Sequence, residues 1–145
     1  MTGWLLDTNI LSAFAPGEPA LSAKAAGWFN ERTDDLHLSA ITAAEIEAGL
    51  SKLRRTGSGR RADELHEWFE RMLSFYIDRV LPFGLEAARI AGALSDMAAA
   101  QGRHPGFADV ATAAIAKSRG LAVLTLNLRH FDPLGVEAVN PFQGV

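Results

Sequence analysis

Hydrophobic positions along this chain alternate between two rhythms. Short apolar runs at Trp4-Leu5-Leu6, Leu36 to Ala40, Val80-Leu81, Leu121 to Thr125 and Val136 to Val139 read as strands. Between them, apolar residues recur at helical spacing: Leu21, Ala25 and Trp28; Ile46, Leu50 and Leu53; Leu65, Trp68, Met72 and Tyr76; and Leu85, Ala88, Ala91, Leu94 and Ala98. Gly102 and Pro105 stop the last of these, and Gly120 stops the next. That next segment, Ala108 to Ala116, is apolar nearly all round, as a helix buried on most sides would be. Strands alternating with helices predict an α/β fold: a mostly parallel sheet, with Leu121 to Thr125 central, flanked by helices. The stretch from Arg54 to Asp63 is expected to be a Gly/Ser loop between two helices. In such folds ligands sit beyond the carboxyl ends of strands, near the switch in strand order. The residues that follow each apolar run are therefore the ones to inspect.

Composition narrows the function classes. At 145 residues with 48% hydrophobic content, the chain is long enough for one domain with a continuous core. It has no cysteine, which excludes disulfides and thiolate metal sites and fits a reducing, cytoplasmic setting. No Lys or Arg precedes the first apolar run, so a signal peptide is not expected. No apolar run approaches the roughly 18 residues of a membrane span. A net charge of −3 does not advertise nucleic-acid binding, so any such activity needs a local patch or metal ions.

Three acids follow predicted strands or open predicted helices. Asp7, in Leu5-Leu6-Asp7-Thr8-Asn9, is placed either to cap the next helix or to hold a ligand. Glu45 stands three residues after Thr42 in capping-box spacing, which favours a structural role yet leaves room for a functional one. Asp109 opens the Ala-rich helix, where the helix dipole stabilises a carboxylate. Thr125 and Asn127 lie at the exit of the fourth predicted strand. If the acids converge on one sheet edge, like charges meet, and a cation must compensate. Oxygen donors without His or Cys point to Mg²⁺ or Mn²⁺, ions that support phosphoryl chemistry. Lys52, Arg54, Arg55, Arg60 and Arg61 form a basic run that is either a solvated face or an RNA contact. Gly57 to Ala62 matches a dinucleotide-binding pattern only loosely, because it does not follow a strand.

With these residues in place, the chain resembles the PIN-domain ribonucleases, specifically the VapC and FitB type of toxin. The marks are Leu-Leu-Asp-Thr-Asn at 5–9, Leu-Ser-Ala-Ile-Thr-Ala-Ala-Glu at 38–45 with Gly49, Leu-Pro-Phe at 81–83 and Gly102-Arg103. Asp109 with Ala113-Ala114, then Thr125-Leu-Asn127 with Phe131, complete the order. The resemblance implies a single PIN domain over 1–145, a three-layer α/β sandwich. It implies Asp7 and Asp109 as the principal Mg²⁺ ligands, with Mn²⁺ as a substitute and Glu45 as the acid beside them. Thr8 and Thr125 would match the hydroxyls that hold ligands or bound water. The implied reaction is endonucleolytic cleavage of RNA, and the implied partners are a small cognate antitoxin and a second copy of the chain. Two departures stand out. The family often has a fourth acid near the last strand, where this chain has Asn127 and His130, with Asp132 next; Asn127 or Asp132 would have to serve. Gly84 stands where relatives often carry Asp, a change expected to touch only a helix cap. Two rivals compete: a PIN-like partner-binding module without turnover, which the retained acids argue against, and a phosphatase, which would need a second Asp that Asp7-Thr8-Asn9 lacks.

Overall fold

A computed structural model describes residues 3–143, so residues 1, 2, 144 and 145 of the expected 1–145 domain lie outside the described residues. Its five strands are β1 (Trp4–Leu6), β2 (Leu36–Ser39), β3 (Val80–Leu81), β4 (Ala122–Leu124) and β5 (Ala138–Val139). All pair in parallel, in the order β3-β2-β1-β4-β5. The helices are α1 (Thr8–Ser12), α2 (Ala23–Glu31), α3 (Ala40–Arg55), α4 (Gly59–Phe75), α5 (Leu85–Ala100), α6 (Phe107–Arg119) and α7 (Leu128–Phe131). Among the described residues, no helix is long and apolar enough to cross a membrane.

Strand alternation splits the core between two faces. Leu5, Leu81 and Val123 join α5, α6 and Phe131 in one cluster. Leu6, Leu36, Leu38 and Leu124 join α1, α2 and α4 in the other. Successive side chains point to opposite sides of a sheet, so runs buried on both faces read as continuously apolar. Each large side chain buried this way contributes about 1.5–3 kcal/mol. In α6, Val110 to Ala116 are all buried, as the all-round apolar pattern requires. Small alanines on α5 and α6 let the two helices pack closely, and Gly120 at φ 66° closes α6 in the left-handed region.

Four expectations change. Leu121 to Thr125 supplies an interior strand, but β1 holds the centre of the sheet. The loop over Arg54 to Asp63 shrinks to a turn at 56–58, because fully buried Ala62 belongs to the apolar stripe of Trp68 and Phe69 and draws α4 back to Gly59. Arg60 and Arg61 are thus helical. The cap of α3 is Ser39, whose hydroxyl accepts from the Thr42 amide at 3.3 Å, so Thr42 and Glu45 do not form a capping box. Leu21 precedes α2 and packs on the core from outside the helix. The departure at Gly84 falls where expected, at the N-cap of α5, with no side-chain capping bond.

Candidate active site

The strand order reverses between β1 and β4, since β1 leads to β2 and β3 on one side and β4 leads to β5 on the other. A crevice opens beyond the carboxyl ends of strands at such a point. Asp7 leaves β1 there and Thr125 leaves β4 beside it, with Leu6 and Leu124 in register and the Asp7 amide donating to the Leu124 carbonyl at 2.9 Å. Thr125 is fully buried and Asp7 only 8% exposed. The Thr125 hydroxyl donates to Asp7 Oδ2 at 2.8 Å and accepts from the Asn127 amide at 3.0 Å. Asp7 Oδ1 accepts from the Thr8 amide at 3.0 Å, capping α1. Asp7 therefore caps α1 at the mouth of the crevice. Each of its oxygens keeps a second lone pair.

Glu45 arrives from the next strand over. Ser39 ends β2 and starts α3, which puts Thr42 and Glu45 one turn apart on the same helix face. Thr8 Oγ1 donates to Glu45 Oε1 at 2.6 Å, and the Thr42 hydroxyl lies 3.0 Å from Thr8 Oγ1. One hydroxyl proton serves the carboxylate, a charge-assisted bond, while Thr42 donates back to Thr8. Below Glu45 a groove of about 480 Å³ runs between α1, α3 and α4, lined by Ile46, Leu50, Leu53 and Trp68.

Asp109 arrives from the other layer. It sits in the first turn of α6, where the helix dipole favours its charge, and its Oδ2 lies 3.2 Å from His130 Nδ1 on α7. Asn127 brings only its backbone amide to the cluster; its side chain is exposed and makes no hydrogen bond among the described residues. Asp132 is exposed in the 3₁₀ turn after α7. His130, Thr42 and Asn9, whose side-chain oxygen accepts from the Leu126 amide at 3.2 Å, are the contacts not read from the sequence. Thr42 was within reach of a helix-face argument. His130 was not, since its position depends on how α7 docks on α6.

Burial raises the pKa of Asp7 above the usual carboxylate value. The Thr125 and Thr8 hydrogen bonds oppose this, and the charges of Asp109 and Glu45 add to it. Among the described residues, no three His, Asp or Glu side chains stand close enough to cage an ion. The arrangement is an open acidic rim. That suits Mg²⁺ or Mn²⁺ held by one or two carboxylates, with water and substrate completing the shell. A raised native pKa means the folded protein holds the proton more tightly than the unfolded chain. This group's contribution is then greatest below the ordinary Asp value and falls as pH climbs through the raised one. Asp7→Asn removes that penalty. In EDTA the variant should melt above the parent at pH ~7, by roughly 2–4 °C for each kcal/mol relieved, with the gap closing toward pH ~4. Equal melting temperatures across that range would show that Asp7 carries no burial strain.

Comparison with known proteins bears on this geometry. A family model described as PIN domain matches residues 4–134. Toxin FitB of Neisseria gonorrhoeae is 33% identical over 140 residues, covering 95% of this chain and 97% of that protein. A VapC ribonuclease of Sinorhizobium fredii is 33% identical over 141 residues, covering 96% and 97%. Among solved structures, FitAcB from Neisseria gonorrhoeae superposes with a TM-score of 0.83 at 32% identity, over 97% of this chain and 99% of that one.

Proposed function

The chain belongs to the PIN-domain family, and on that footing we propose that it is a metal-dependent endoribonuclease acting as the toxin of a toxin–antitoxin pair. The observation that carries this reading is a buried Asp7 at the switch point, with two further acids near enough for their charges to act on it. Asp7 is clamped by Thr125, Glu45 is held by Thr8, and the charges of Asp109 and Glu45 both act on Asp7. The likeness to a VapC ribonuclease and to Toxin FitB supports the reaction and the role. Intact hydroxyl–carboxylate contacts disfavour a PIN-like partner-binding module without turnover.

Asp7 and Asp109 are the residues that would hold the ion, with Glu45 as the acid beside them. Mg²⁺ or Mn²⁺, when bound, supplies neutralisation of phosphate charge and a water more acidic than bulk. The protein's own residues do the positioning. Thr125 fixes the Asp7 carboxylate from a fully buried anchor, and Thr8 fixes Glu45 across the crevice. His130 holds Asp109 toward α7. Asn127 takes part through its amide, which orients the Thr125 hydroxyl. Its exposed side chain leaves the place of a fourth acid without charge, so one metal binds firmly and a second only with substrate. The same reading gives the chain a small cognate antitoxin as partner, self-association as a homodimer and a cytoplasmic place of work. The apolar groove beside Glu45 offers such a partner area to bury next to the acids.

Purified protein incubated with single-stranded RNA should cleave internally with Mg²⁺ or Mn²⁺ and stop in EDTA, with activity restored on re-addition of either ion. Cleavage that persists in EDTA, or none with either ion, would sink the assignment.

A further inference from the structure

We propose that a cleft beside Asp109 binds a phosphate of the RNA backbone next to the one cleaved, an inference that rests on the endoribonuclease reading above. The cleft has a volume of about 270 Å³. Arg103 and His104 enter it from the α5–α6 connection and Arg129 and His130 from α7, with Asp109 on its wall. The two arginines reach it from segments 26 residues apart in the chain, so only the docking of α7 against α6 brings them together.

Charge is what selects the ligand. The whole chain carries −3, and the crevice itself is lined by acids, so a polyanion gains no attraction from the protein's overall field. Attraction has to be local, and the basic run in the sequence supplies less of it than its count suggests. Arg54 is bound to Asp63 at 2.6 Å and Arg61 pairs with Glu64 at 3.5 Å; Lys52, Arg55 and Arg60 have no acidic partner within 4.0 Å among the described residues, but none of them lines this cleft. Arg103 and Arg129, which do line it, likewise have no acidic partner within 4.0 Å and no side-chain hydrogen bond among the described residues. With both histidines neutral, two arginines against Asp109 leave the lining with a net +1, and the Asp109 carboxylate is already engaged by His130. A guanidinium fork matches phosphate oxygens in a bidentate way that a lone ammonium does not. The cleft opens on Asp109, one of the candidate metal ligands, so an RNA strand lying across the acids continues into it. The groove on the Glu45 side also carries two cations, Lys52 and Arg61, but Glu18 and Glu45 balance them and leave it no net charge to offer a backbone.

The test measures binding of a fluorescent single-stranded RNA to the Asp7→Asn chain, which keeps the RNA intact, as a function of salt. Arg103→Ala with Arg129→Ala should weaken binding at least about tenfold and flatten the log–log salt slope by about 1.4, at ~0.7 per single-strand phosphate contact. Arg103→Lys with Arg129→Lys should restore much of the slope. Arg55→Ala with Arg60→Ala removes the same charge from the helical run and should cost less than about twofold. Equal losses in the two alanine pairs, or no loss in the cleft pair, overturn the assignment. Cleavage by the otherwise unaltered chain separates the two readings. If that chain cleaves RNA with Mg²⁺ while the cleft pair leaves affinity unchanged, the cleft assignment alone fails. If it does not cleave but the cleft pair still governs affinity, the nuclease reading fails and the cleft stands as an RNA-phosphate site alone. Absence of RNA binding in the Asp7→Asn chain overturns the cleft assignment, and absence of cleavage by the unaltered chain as well overturns both.

Discussion

Asp7→Asn is expected to lower RNA cleavage by at least about 10³-fold, roughly 4 kcal/mol of transition-state stabilisation, while the chain stays folded. Asn matches Asp in shape and caps helices as well, so the local role of Asp7 at the start of α1 survives the change. One amide oxygen can still accept from Thr125 or from the Thr8 amide. What disappears is the negative charge at the switch point, which a divalent ion requires and the apo fold does not. The substitution therefore separates the two readings of this residue. A helix cap alone would make it silent in the cleavage assay, whereas a metal ligand would make it nearly complete in effect. Single-turnover cleavage with Mg²⁺, alongside circular dichroism of the same preparation, decides the matter. Activity within about tenfold of the parent would assign Asp7 to structure only. Loss of cleavage together with a higher apo melting temperature is the signature of a residue that trades stability for function.

Phe131→Ala carries the largest expected stability effect, a loss of about 3–5 kcal/mol. Phe131 is fully buried among Ala91, Leu94, Ile115 and Leu134 on the α5–α6 side of the sheet. Truncation leaves a cavity that the backbone closes only in part. In a chain of this length the melting temperature should fall by roughly 6–20 °C, at about 2–4 °C per kcal/mol. Phe131→Leu, which keeps most of the volume, should cost clearly less. The effect reaches the site through α7, since Phe131 is the anchor that seats His130 against Asp109 and Arg129 in the cleft. At a temperature where the Ala variant is still folded, its affinity for RNA should fall with its stability. Thermal melts of the two variants check the first statement. A shift below about 3 °C for Phe131→Ala would show that α7 is not held by this side chain.

The apolar rhythm was enough to read the layers of this molecule. Runs buried on both faces, such as Leu5-Leu6 and Val123-Leu124, have no polar alternate, and that is the mark of a parallel interior strand. The all-round apolar character of Ala108 to Ala116 likewise announced a buried helix, because no face of it could be left to water. Asp7 and Asp109 were legible as candidates for the same reason: a charge directly after a buried run, or at a buried helix start, sits at the boundary where the core stops. Glu45 was legible only through its spacing from Thr42 near the end of the second strand. Helix limits were less legible. Ser39, Thr42 and Glu45 all suit the start of α3, and only the observed bond from the Thr42 amide to Ser39 shows which one caps it.

Contacts between segments far apart in the chain belong to the tertiary structure alone. Strand order is one, since nothing local to β4 states that it pairs with β1 and so leaves β1 in the centre. The Thr125–Asp7 bond follows from that pairing across 118 positions, and the approach of His130 to Asp109 follows from the docking of α7. Charge pairing is another. The basic run from Lys52 to Arg61 looks uniform as a sequence, yet the α3–α4 turn sets Arg54 against Asp63, while the docking of α7 brings Arg103 and Arg129 together in the cleft beside Asp109. The physical reason is the same in each case. Periodicity and capping are short-range and depend on a few neighbouring residues, whereas pairing, burial of charge and cleft formation are set by which surfaces the packed core brings together.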